Sequence, residues 1–188
     1  MSEAILDNRR RALENAFFVE HDRRLINRLA HDDAHRAERE AITAATGITD
    51  PVVIDQFIAL DLRGSTLAAL AVVPLVAVAW ADGSVGERER AAVLAVAVEL
   101  GFDTDSESFN LLEDWLMHEP PVELLSAWEA YTAAFISQLD EAGRTALHDE
   151  VVTRARAVAE AQGGFLSFGR VSQSEEAVLR RLEAALTG

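Results

Sequence analysis

Apolar residues recur along this chain at intervals of three and four, and no alternating segment is flanked by hairpin turns. That pattern predicts an all-α fold, a multi-helix bundle of seven to nine helices. Phe17, Phe18, Leu25, Ile26 and Leu29 keep helical spacing through a charged segment that Ser2 can open and that runs to Thr46, with Gly47 closing it. Asp50 followed by Pro51 is a strong start signal, because a capping side chain stands before a proline at the first helical position. This second helix is expected to reach Leu62, with Gly64 at its end. Ser65 or Thr66 then caps a nearly uniformly apolar stretch through Trp80, which Pro74 must either kink or divide into two short pieces. Its hydrophobicity marks it as the core.

The second half continues the pattern. Gly86 to Leu100 reads as a strongly apolar helix stopped by Gly101, and another helix runs from Ser106 to His118. Pro120-Pro121 forces a break before a long amphipathic helix that brings Leu124, Leu125, Trp128, Tyr131 and Phe135 near one stripe. Asp140 caps the next helix, through Ala161, and Ser172 begins the last, with Val178, Leu179, Leu182 and Leu186 at helical intervals. No low-complexity linker divides the chain. The organisation expected is an N-terminal helical segment, 1–64, packing on a helical domain, 65–188.

Residues 77–100 and 157–186 share one plan: a helix, a glycine turn, a valine, and a second helix with glutamate four residues after that valine. Val85 and Glu89 match Val171 and Glu175, and Gly83 matches Gly163, while the second copy carries an inserted loop from Gly164 to Arg170. Two helix-turn-helix units related in this way form a pseudo-repeat whose apolar faces can cover each other. The first copy, with Ala81-Asp82-Gly83, Val85, Glu87 and Glu89, resembles the TerB-like tellurite-resistance family over roughly residues 66–186. The resemblance implies an all-helical fold linked to stress responses, with acidic turn residues proposed to bind divalent metal. Asp82, Glu89 and Glu175 match that acidic set, but Gln162 stands at the second aspartate position, which weakens any site requiring both.

Composition narrows the choices. Asp and Glu number 32 against 17 basic residues, a formal net charge of -15, which repels nucleic acid and anionic lipid and suits a cation or a basic protein partner. Every basic residue is arginine. Cysteine is absent, so thiolate metal sites and cysteine nucleophiles are excluded and any metal must use oxygen or imidazole ligands. The N-terminus lacks an uninterrupted apolar segment of the secretory kind, and Leu67 to Ala81 is shorter than the roughly 20 residues a membrane span needs. A mature cytoplasmic protein without a transmembrane segment is the expectation, with peripheral membrane contact left open.

Two readings stand beside each other for the acidic turn residues. Asp82, Glu89 and Glu175 can supply hard oxygen ligands to calcium or magnesium, with water completing the shell. Equally, Glu89 and Glu175 occupy the third position of a capping box, reaching back to Gly86 and Ser172, while Asp82 bonds within its own turn and Ser84 with Glu87 forms a rival box. His31 and His35 lie four apart on one helical face near Glu38, a spacing able to hold zinc or, alternatively, simply an exposed polar face. His148-Asp149-Glu150 and Glu113-Asp114 lack a nucleophile or oxyanion donor and read as solvated helix faces. The Phe165, Leu166 and Phe168 loop must fold back on the core or meet a partner, because each large apolar side chain is worth roughly 1.5–3 kcal/mol when buried. Trp80, Trp115, Trp128 and Tyr131 are read as core.

With no catalytic constellation present, the preferred reading is a non-catalytic helical interaction or stress-response module, tuned by a divalent cation and bound to a protein partner or a second copy. The alternatives are a carboxylate- or histidine-based metallohydrolase and a structural subunit of an assembly.

Overall fold

The computed structural model describes residues 33–161 and 171–187. The chain divides into two compact units, Met1–Glu40 and Ala41–Gly188. Of the first, the described residues, 33–40, are helical. Ser2, Phe17, Phe18, Leu25, Ile26 and Leu29 lie outside the described residues.

All regular structure among the described residues is helical. A helix over 33–46 (α1) is followed by α2 (Pro51–Ala59), a 3-10 segment (Leu67–Val72), α3 (Val73–Ala79), α4 (Glu87–Glu99), α5 (Glu107–Met117), α6 (Glu123–Ile136), α7 (Glu141–Ala161) and α8 (Gln173–Thr187). The local start signals act as their chemistry requires. Asp50 accepts the Val52 N–H at 2.8 Å, Ser106 that of Phe109 at 3.2 Å, and Asp140 that of Gly143 at 2.8 Å. Each satisfies an amide that the first helical turn leaves without an intrahelical partner.

Two boundaries differ from the sequence expectation. Helix α2 stops at Ala59 rather than Leu62, and the residue that turns the chain is Asp61, at φ +57°, not Gly64. The Leu62 N–H bonds the Phe57 carbonyl at 2.9 Å and the Asp61 N–H that of Ile58 at 3.2 Å. This is a Schellman termination, with aspartate filling the left-handed position usually held by glycine. Fully buried Leu62 supplies the hydrophobic anchor that keeps the turn in place. At Pro74 the chain divides rather than kinks. The 3-10 segment ends at Val72, and Pro74 falls in the first turn of α3, where its missing N–H costs no intrahelical bond.

Helix α3 is the axis of the Ala41–Gly188 unit. Val73, Leu75, Val76, Val78 and Ala79 are buried, and α3 packs against α4, α6, α7 and α8. The unit's core also takes Ile42, Ile48, Ile54, Phe57 and Leu62 from before residue 65, through α2 packing on α6. The two hairpins of the pseudo-repeat, α3–α4 and α7–α8, are in mutual contact: α3 meets α7 and α8, and α4 meets α7. Arg181 on α8 grips Glu129 on α6 through two bonds of 2.6 and 3.0 Å, an exposed pair that orients more than it stabilises.

Candidate functional site

The turn between α3 and α4 is built from short-range bonds. Trp80 is anchored by its indole Nε1–H donating to the Trp115 carbonyl at 2.7 Å, and the Gly83 N–H bonds the Trp80 carbonyl at 2.9 Å. Asp82 Oδ1 accepts the Ser84 N–H at 3.1 Å, an Asx turn, with the Ser84 hydroxyl 3.4 Å away. Gly83 sits at φ +89°, and a Cβ there would meet no atom within 4 Å. Replacing it with alanine therefore tests backbone strain alone. The expected loss is about 1–2 kcal/mol of unfolding free energy in urea titration, the cost of a left-handed conformation for a residue with a Cβ.

Gly86 is the N-cap of α4, and its N–H donates to Glu89 Oε2 at 2.7 Å. The rival start at Ser84 is not taken, since that residue is engaged with Asp82. Helix α8 opens in the same way and more completely. The Ser172 N–H donates to Glu175 Oε2 at 2.5 Å, and the Glu175 N–H donates to Ser172 Oγ at 3.2 Å, a reciprocal capping box. Gly86 has no side chain to return the bond, so α4 has half of the same device.

These caps are unusual in their burial. Glu89 is 1% exposed and Glu175 3%, although glutamate at a helix start ordinarily faces water. Burial pushes the Glu89 carboxyl above its ordinary value of 4.5, the Gly86 N–H pulls it back, and the charges of Asp82 and Glu175 push it up further. The charge of the second turn's Glu175 is therefore felt at Glu89 in the first. Glu175 Oε1 is buried and accepts no hydrogen bond, so one lone-pair face of this pair is left unsatisfied.

Among the described residues no three His, Asp or Glu side chains are grouped closely enough to hold a metal ion. Of the three acidic residues singled out in the sequence, Glu89 and Glu175 are buried, while Asp82 bonds within its own turn, and the charges of Asp82 and, to a smaller extent, Glu175 act on Glu89. Among the described residues the other candidates do not gather into a site. His35 is exposed on α1, and His31 lies outside the described residues, as do Gln162, Gly163 and the Phe165, Leu166 and Phe168 loop. His148 contacts Asp149 at 3.2 Å, Asp114 contacts His118 at 2.9 Å, Glu113 lies 3.8 Å from Arg90, and Glu150 pairs with Arg154. All lie on accessible helix faces, and the two arginine contacts are ion pairs.

Sequence reasoning found the glutamates through the repeated valine-to-glutamate spacing, but it carried no signal for their burial or for the orphaned oxygen. It also missed an apolar cavity whose lining comes from six separate segments. No family model matches the chain, no curated protein is significantly similar to it, and no solved structure matches it.

Proposed function

We propose that this chain is a non-catalytic helical interaction module of the TerB-like kind, in which a divalent cation between two helix-opening turns tunes the surface offered to a protein partner or a second copy. The observation that carries this reading is Glu175 Oε1, buried without a hydrogen-bond partner beside buried Glu89. Two acidic groups enclosed together need a proton or a cation to offset their repulsion.

The donor set fits a hard cation, because both groups offer oxygen. Two carboxylates are few for calcium, which takes six to eight oxygens, whereas magnesium retains several waters and is commonly held by one or two carboxylates. Magnesium is thus the better match. When bound, it would supply positive charge that favours both ionised glutamates. Glu89 and Glu175 would hold it while their other oxygens keep the Gly86 and Ser172 amides, so the cation would tie the start of α4 to the start of α8. The link to stress responses rests on the sequence resemblance. A metallohydrolase would call for a concave site around these carboxylates, and neither cavity described among these residues is lined by Asp82, Glu89 or Glu175.

Calorimetric and thermal-shift titrations with magnesium, calcium, manganese and zinc test the proposal. Millimolar magnesium is expected to raise the melting temperature of the natural chain and leave Glu175→Gln unmoved. Absence of both heat and shift with every cation in the natural chain removes the cation from the reading.

A further inference from the structure

The apolar cavity has a different character from the acidic turns. It encloses about 240 Å³ and is walled by the 3-10 segment, α3, α6, α7 and the C-terminal ends of the α4 and α8 regions at Leu100 and Leu186. All of its lining residues are apolar except Tyr131, Thr132, Glu150 and Arg154. One wall is rigid, since the Tyr131 and Phe135 rings stack with centroids 5.8 Å apart and planes inclined by 10°. Ala68 and Ala71, small and exposed, leave it open to solvent on the side of the 3-10 segment.

We infer that this cavity is a binding site for a small, uncharged, mostly apolar molecule carrying one hydroxyl or carbonyl group. The size follows from the volume. A dry apolar cavity of about 150 Å³ accepts benzene, and pockets for drug-sized ligands begin near 300 Å³, so the occupant is a single ring or a chain of roughly eight carbons. The lack of charge follows from the polar residues. Glu150 and Arg154, one helical turn apart on α7, are paired with each other, so the lining presents one negative and one positive group already neutralised. A charged ligand group would give up water on entering a lining that is mostly apolar. A hydroxyl or carbonyl asks for less, and Tyr131, whose burial raises its phenol pKa and keeps it a donor, stands with Thr132 among the lining residues. This site is independent of the cation reading, because it shares no residue with the turns.

The test uses three probes of equal length, 1-octanol, octanoate and octylamine, titrated into the full chain with leucine methyl groups observed by NMR. Octanol is expected to shift the Leu75 and Leu147 methyl signals saturably, at least tenfold more tightly than either ionised probe. Ala71→Phe, which fills the mouth from an exposed position, should weaken octanol at least tenfold while far-UV circular dichroism is unchanged. Val151→Phe, which fills from α7, should do the same by a separate route. The inference is overturned by any of three results: no saturable shift with octanol, tighter binding of octanoate or octylamine than of octanol, or octanol binding untouched by both filling variants.

Discussion

Phe57→Ala is expected to lower the unfolding free energy of the chain by about 3–5 kcal/mol, the range seen when a buried aromatic is cut to a methyl group. Phe57 has no exposed surface, and with Ile54 it is the buried face of α2 where that helix meets α6. Its backbone carbonyl also accepts the Leu60 and Leu62 amides that end the helix, so the ring and the turn are fixed by the same residue. Against a typical total of about 5–15 kcal/mol, such a loss is a large share, equivalent to a fall of roughly 10 °C in melting temperature for a chain of this size. Urea unfolding followed by circular dichroism reads it directly. A loss below about 1 kcal/mol would mean that α2 does not unfold together with the helices of the repeat.

The second large effect concerns pH, and its sign is opposite to that of an exposed, ion-paired carboxylate. The folded chain holds Glu89 above its ordinary value of 4.5, so the native state binds a proton more tightly than the unfolded state does. The stability that Glu89 contributes is then complete below about pH 4.5 and is lost as pH rises through the folded-state value. Unfolding midpoints in urea should therefore decline with rising pH in the interval just above 4.5. Glu89→Gln should remove that decline while an amide oxygen still accepts the Gly86 N–H. Glu175→Gln should reduce it by deleting one of the opposing charges, and Glu175→Ala should reduce it alike while also costing about 1 kcal/mol through loss of the capping bond. Millimolar magnesium should flatten the curve of the natural chain by favouring ionised Glu89. Superimposable pH curves for the natural chain and Glu89→Gln would show that the buried pair has no energetic coupling to the fold.

The helical character of the chain, and most of its helix starts, were legible in the residue pattern. Asp50-Pro51, Ser106, Asp140 and the Ser172-Glu175 pair all cap where their order along the chain places them. Gly47 and Gly101 both take positive φ at the helix ends they were expected to close. These features were readable because a cap is satisfied within about four residues, so the sequence contains both donor and acceptor. The same locality explains why the repeated valine-to-glutamate spacing located Glu89 and Glu175 and favoured capping over cation binding: capping needs one helix, and cation binding needs one turn from each copy of the repeat.

What the order of residues determined by itself is the α class, most of the helix positions and the likeness of two hairpins. The tertiary structure alone decided that Pro74 separates a 3-10 segment from α3, and that Asp61 rather than Gly64 turns the chain after α2. It also decided that two capping glutamates are enclosed with one oxygen unsatisfied, and that a charge-neutral apolar cavity lies among six segments. Each of these depends on groups brought together across long stretches of chain by the packing of α3 against α6, α7 and α8. Burial, the proximity of like charges and empty volume are properties of that packing, and no window of sequence contains them.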